Sequence, residues 1–178
     1  MESEVRELLV EQLKDAYSAE KQALRCMRQT VRKATAQALK DGIQLHIEQT
    51  QTQIERVEQA LEALGGRPGR KVCEAMRGLV EEAQHEIEEH EKGPILDLVI
   101  VAGMQRIEHY EIAAYGTDVA LAQALGEGKV VALLEETLQE EKQTDVKLTE
   151  VTQSTLMAAA MSGEAAADAK PTPKRRTP

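Results

Sequence analysis

Apolar residues recur at alternating spacings of three and four along four long stretches of the chain. This is the period of a helix face turned into a bundle core. The first stretch reads Leu9, Leu13, Ala16, Glu20, Leu24, Met27, Val31. The second reads Leu39, Ile43, His46, Thr50, Gln53, Val57, Leu61, Leu64, with Gln49 beside Thr50. The third reads Val101, Met104, Glu108, Glu111, Tyr115, Val119, Ala122, and the fourth Val131, Leu134, Leu138, Glu141, Asp145, Leu148, Thr152. Every seam is apolar at both ends and polar in its middle. Helices of about 30 residues are about 45 Å long, and the polar breaks all fall near their midpoints. Packed antiparallel, they meet in one central layer.

Punctuation residues set the expected boundaries. The pattern predicts a first helix from about Glu2 to Ala34 and a second from about Ala36 to Leu64, with a weak point at Asp41 and Gly42. Gly65, Gly66, Pro68 and Gly69 end the second helix. A shorter helix follows over Cys73 to His90. Gly93 stops it, and Pro94, suited to a first turn, begins a third long helix that runs to Leu125. After Gly126 and Gly128 a fourth long helix runs from Lys129 to Met157. The first and second long helices are closely connected, as are the third and fourth, so each pair forms an antiparallel hairpin. The segment from Gly65 to Gly93 is long enough to cross the length of the bundle. The expected fold is therefore all-α: a ferritin-like four-helix bundle of two hairpins joined by a long crossover that carries a fifth, shorter helix.

Composition narrows the class. The 178 residues include three aromatics, all Tyr, which argues against a β sandwich or barrel. The net charge of −9 makes nucleic-acid binding by the bundle unsuitable, because phosphates need a basic face. Cys26 and Cys73 form no disulfide framework or CxxC motif, which fits a reduced compartment. The polar start, Met1 to Arg6, has no signal-peptide core, and the Pro94 to Met104 run is too short to span a bilayer. Cytoplasm is the expected location. Residues 158–178 are rich in small residues, Pro and Lys/Arg and are expected to be a disordered tail beside a bundle over 1–157. Four basic residues against Glu164 and Asp168 give that tail +2, leaving −11 on the rest. A solvated tail is the plain reading, and an arm for a protein partner the sharper one.

The central layer carries the chemistry. Glu20, Glu108, Glu111, Glu141 and Asp145 would repel one another inside a bundle, and His46 alone does not neutralise them. A buried carboxylate without compensation costs several kcal/mol or shifts its pKa until it is neutral. One or two divalent cations would resolve the conflict. Carboxylates with imidazole suit iron, manganese or zinc, and iron or manganese, open to reaction with peroxide or oxygen, is the first hypothesis. A wet polar layer without metal is the competing reading, as is a layer in which Lys21, Arg25, Arg56 or Lys142 turns inward.

At these residues the chain resembles a known family. The segments Asp15 to Gln22, Gln53 to Glu58, Glu108 to Gly116 (EHYEIAAYG) and Leu138 to Asp145 look like the YciF-type family of ferritin-like bacterial proteins. The resemblance covers about Leu8 to Val151. It implies a ferritin-like bundle, a homodimer, a role in stress response and metal binding at Glu20, Glu108, Glu111 and Glu141, with His46, Gln49 and Asp145 as further positions. Two departures stand out. Family members often carry a carboxylate where this chain has Gln49, and the fourth helix offers Glu141 with Thr144 or Asp145 instead of Glu-x-x-His. A mononuclear site, a weak site and a lost site are therefore alternatives to a di-metal centre. If the site is lost, the bundle is a non-enzymatic oligomerisation or interaction module.

Other signals are smaller. His109 lies one position off the seam, and His85 and His90 sit in an acidic, solvated stretch. Tyr17, Tyr110 and Tyr115 are each placed to hydrogen-bond a core carboxylate. Cys26 and Cys73 read as packing groups.

Overall fold

The structure, a computed structural model, describes residues 1–163. Five helices make the body: α1 (Glu2–Thr30), α2 (Gln37–Ala63), α3 (Glu74–Glu88), α4 (Pro94–Ala124) and α5 (Gly128–Val151). A π-helical turn, Thr152–Leu156, leads into a short α6 (Met157–Ser162). There is no strand among the described residues.

Cross-helix contacts fix the directions. Tyr17 meets Glu58 and Arg28 meets Gln51, so α1 and α2 are antiparallel. Gln105 meets Asp145 and Gln123 meets Glu135, so α4 and α5 are too. α1 and α5 each pack against both α2 and α4, closing a four-helix ring. The crossover climbs the outside of α1. A Cβ on Gly66 would lie beside Val10, Lys71 reaches Glu11 and Asp15, and the Cys73 N–H donates to Ser18. α3 then completes the ascent between α1 and α4. It packs so closely that a Cβ on Gly103 would stand 2.9 Å from Ala83 Cβ.

The ends of α2 and α4 stop for the same reason. Gly65 and Gly126 adopt φ of +75° and +69°, where a side chain would be strained. The backbone then closes paired bonds, Gly66 N to Leu61 O with Gly65 N to Glu62 O, and Glu127 N to Ala122 O with Gly126 N to Gln123 O. The expected weak point at Asp41–Gly42 is not a break: α2 runs through it, supported by the Gln37 to Asp41 side-chain bond.

Two boundaries differ from the sequence pattern by four residues or more. α1 ends at Thr30, four residues before Ala34, because a distant carboxylate holds the connection open. Asp97 of α4, fully buried, accepts from Thr35 N at 2.7 Å, Thr35 Oγ1 at 2.5 Å and Ala36 N at 2.9 Å. It thus caps the N-terminus of α2, whose own N-cap residue, Ala36, has no side-chain acceptor. At the other end the helical path continues five residues past Met157, which corrects the start of the expected tail at 158. Thr152 and Ser154 donate back to the carbonyls of Leu148 and Glu150, loosening the ladder into a π turn. The turn re-aims the chain so that Leu156 and Ala159 are buried. Residues 164–178, the rest of the expected tail, lie outside the described residues.

The core is divided. One apolar cluster gathers Leu24, Met27, Leu39, Ile43, Ile100 and Leu148 at the α1–α2 turn end. A second gathers Leu9, Leu13, Val57, Leu61, Val119 and Leu134 at the opposite end. Between them lies the polar layer.

Replacing Asp97 by Ala leaves the buried Ala36 N–H and the half-buried Thr35 N–H without their acceptor, and we expect a loss of about 2–4 kcal/mol in denaturant unfolding. Asp97→Asn, which keeps one acceptor oxygen, is expected to lose less. Equal stability of Asp97→Ala and the native chain would contradict the capping role.

Candidate metal centre

Helical periodicity delivers the layer. His46 comes from α2, Glu108 and Glu111 from one face of α4, Glu141 from α5 and Glu20 from α1. Residues three apart on a helix share a face, which is why Glu108 and Glu111 point together. All five side chains are at most 2% exposed. His46, Glu108, Glu111 and Glu141 each offer one ligand atom, and these atoms lie within 4.8 Å of one another. His46 Nε2 is 3.1 Å from Glu108 Oε1 and 3.4 Å from Glu141 Oε2. Its other nitrogen, Nδ1, is 3.3 Å from Thr144 Oγ1. Glu20 lies beside these four and accepts a short hydrogen bond from the buried Tyr115 hydroxyl.

These acids have too few partners. Glu20 Oε2, Glu108 Oε2, Glu111 Oε1 and both oxygens of Glu141 are buried without a hydrogen bond. Burial, with the charge of Glu141 second, pushes the Glu20 carboxyl up to about 8. Burial likewise raises Glu108 to about 8, although the adjoining Glu141 carboxyl opposes the rise. Glu111 and Glu141 are raised well above the usual range, by burial first and by neighbouring carboxylates after it. Without a cation, burial and mutual repulsion favour the protonated form of these carboxyls.

Two expected members lie elsewhere. Asp145 is turned partly outward, accepting from Gln105 Nε2 at 2.9 Å with His109 Nε2 at 3.4 Å. The reason is helical phase. From Glu141 the inward face continues at the third residue, Thr144, which is buried, so the fourth falls outside. Gln49 is half-buried and lines a separate cavity between α2 and α5.

The smaller signals also resolve. His109 is 68% exposed, and His85 pairs with Glu89 at the surface. Of the three tyrosines, Tyr115 alone bonds a carboxylate of the layer. Tyr17 donates to exposed Glu58, and Tyr110 donates to Asp15 at 2.8 Å with Cys73 Sγ at 2.9 Å. Arg56 does turn inward, but it is held by Glu136 at 2.6 Å and Glu140 at 2.6 and 3.0 Å, below the cluster. Cys73 caps α3, its sulfur accepting from Met76 N.

The seams did not expose Asp118. It is 1% exposed, has neither oxygen bonded, and is raised to about 7 by burial and then by Asp15. Its signal was its place three residues after Tyr115, on the edge of the same face. Thr144 was legible in the same way, as the alternative to Asp145.

Residues 4–161 match the family model described as "Domain of unknown function (DUF892)". The chain is 43% identical over 148 residues to protein YciF of Escherichia coli strain K12, covering 83% of this chain and 89% of that protein. The crystal structure of that E. coli stress protein superposes with a TM-score of 0.80 at 42% identity, over 84% of this chain and 94% of the other. YcfI of Rhodopseudomonas palustris superposes at 0.79 with 40% identity, over 82% and 92%. A ferritin-like, diiron-carboxylate protein of Bacillus anthracis shares the fold at a TM-score of 0.65 and 17% identity, over 83% and 96%. The bundle is therefore ferritin-like, as its connectivity predicts.

The raised acids set a pH dependence. Glu20 and Glu108 move from an ordinary 4.5 to about 8 in the folded protein. Relative to the unfolded chain the folded state binds extra protons, so this stabilisation is full below about 4.5 and is lost as pH rises through 8. Thermal unfolding in excess chelator should show the melting temperature falling across that window, and Glu20→Gln should flatten the fall. A melting temperature that rises from pH 5 to 8 in chelator would contradict it.

Proposed function

The chain belongs to the YciF-like DUF892 family, and we propose that it is a stress-associated ferritin-like protein that binds one or two iron or manganese ions in its central layer. His46, Glu108, Glu111 and Glu141 would hold the first ion, with Glu20 at hand for a second. The observation that carries this reading is the convergence of four buried donors within 4.8 Å while their remaining oxygens lack partners. An imidazole with several carboxylates is a donor set for iron and manganese. When bound, such an ion supplies Lewis-acid or redox chemistry toward oxygen or peroxide.

The chain's own residues have defined tasks in this reading. With the proton on Nδ1 donated in a hydrogen bond to the Thr144 hydroxyl, His46 Nε2 would keep its lone pair for the ion. Tyr115 fixes the orientation of Glu20. Carboxyls that hold protons in the empty protein must release them on ligation, so affinity rises with pH. Two apolar clusters exclude water from above and below the layer.

A second reading is a non-enzymatic stress or assembly module with a degenerate site. It is favoured by the outward turn of Asp145 and the neutral Gln49, which leave the layer with one imidazole and no carboxylate from α2. A homodimer, a cytoplasmic location and a protein partner for the basic tail belong to either reading. Among the described residues no helix is long and apolar enough to cross a membrane.

Elemental analysis of protein purified without chelator and then supplied with Fe(II) or Mn(II) separates the two. Bound metal should disappear in Glu111→Ala and Glu141→Ala and persist in Asp145→Asn and Gln49→Ala. Saturating metal at about 100 times its Kd should raise stability by about 2.7 kcal/mol. No bound metal at any supplied concentration would leave the assembly reading standing.

A further inference from the structure

The first half of α4 is apolar on every side. From Pro94 to Met104 the one charged residue is Asp97, and it is spent inside as the cap of α2. Leu96, Ile100, Val101 and Met104 are buried in the core. Ile95, Leu98, Val99 and Ala102 recur at i, i+3, i+4 and i+7 along another side. Ile95 is 52% exposed, Ala102 is exposed, and Leu98 and Val99 are half-buried. A helix apolar all round is ordinarily a covered one. Here the outer stripe is the floor of an open groove whose wall is the end of α3.

That wall is acidic. Glu86 and Glu89 line the groove beside His90, and Glu82 lies one turn before Glu86. Arg106 pairs with Glu86 at 2.9 Å and with Glu82 at 3.3 Å, and His85 stands 3.4 Å from Glu89. Exposed Glu88 and Glu91 add negative charge at the same end.

A fitting occupant is basic and partly apolar, and the chain carries such a segment. Residues 170–178 hold Lys170, Lys174, Arg175 and Arg176, with Pro171, Pro173 and Pro178 and no acid. Residues 1–163 carry −11, so a second copy of the bundle would approach the acidic wall against like charge. Connection favours the segment as well. Leu156 packs in the same cluster as Leu96 and Ile100, and α6 rests on α4, so Gly163 leaves the fold beside that helix. Lys174 follows 11 residues after Gly163, and such a stretch spans up to about 36 Å. Ile95 and Ala102 are about 10 Å apart along the helix axis. A tether of this length supplies the segment at about millimolar effective concentration.

We propose that the groove between α3 and α4 is an intramolecular docking site for the basic segment 170–178, with its prolines on the Ile95 to Ala102 stripe and its Lys and Arg side chains on Glu86 and Glu89. Docking covers the stripe and neutralises part of the acidic wall. The attraction is between exposed charges, so it weakens as salt rises. The proposal stands whether or not the central layer binds metal.

The test uses the full chain carrying a nitroxide attached through Thr177→Cys; Cys26 and Cys73 are buried and stay unlabelled. At about 0.01 M salt, where charges act over about 30 Å, the amide resonances of Glu86, Glu89, Ile95, Val99 and Ala102 should lose most of their intensity. Those of Val57, Leu61 and Val130, at the far end of the bundle, should keep theirs. At about 1 M salt the selective loss should largely disappear. Lys174→Glu, Arg175→Glu and Arg176→Glu together should abolish it at low salt. So should Ile95→Ser with Ala102→Glu, two exposed positions whose change spares the core. Unlabelled, isotope-enriched chain mixed with labelled chain at the same total concentration should show none. Loss confined to that mixture would make the groove a contact between copies and overturn the proposal. No selective loss in the labelled chain, or loss that survives both sets of substitutions, would also overturn it.

Discussion

Glu20, His46, Glu108, Glu111 and Glu141 are sealed at mid-height in a bundle whose remaining interior is largely aliphatic. Ionised carboxylates at such depth lose most of their hydration, and those within a few ångströms of each other repel. The apolar core responds by dividing into an upper and a lower cluster, each large enough to pack on its own. The layer between them is tolerated only while its acids are protonated or share a cation. A metal would therefore act on stability and chemistry through the same few atoms.

The outer architecture serves that layer. The crossover lies along α1, and α3 wedges against α1 and α4 at the height of Ala19, Ala23 and Ile107, covering the flank beside Glu20 and Glu111. Asp97 fixes the start of α2 relative to α4, and α2 carries His46. Arg56 ties Glu136 and Glu140 to α2 beneath the cluster, so Glu140 is charge-paired and does not join the unpaired acids. Each of these contacts holds the rotation or height of a helix that contributes a donor.

The flank between α2 and α5 differs from the one that α3 covers. Here the chain places the small residues Ala38 and Gly42, the neutral Gln49 amide and Thr144.

The sequence alone determined the helices, their pairing and the existence of the polar layer. Helical period and turn residues are local properties: an apolar seam interrupted at Glu20, His46, Glu108 or Glu141 is visible without knowing what it faces. The positions decided by tertiary structure are those where the local rule permits two answers. Thr144 and Asp145 sit about 100° apart on α5, on either side of the seam line, and the packing of α5 against α2 and α4 selects Thr144. Gln49 is near the seam of α2 but turns into a cavity that it lines with Gly42 of α2 and Thr144 and Leu148 of α5. Arg56 is one of four basic residues that the pattern lets turn inward, and no seam picks out Asp97 or Asp118. Asp97 is held by Thr35, 62 positions away, and Arg56 by Glu136 and Glu140, 80 and 84 positions away, while Asp118 feels the charge of Asp15 on another helix. No pattern confined to one helix encodes that proximity. It arises when the rotations of neighbouring helices are fixed together.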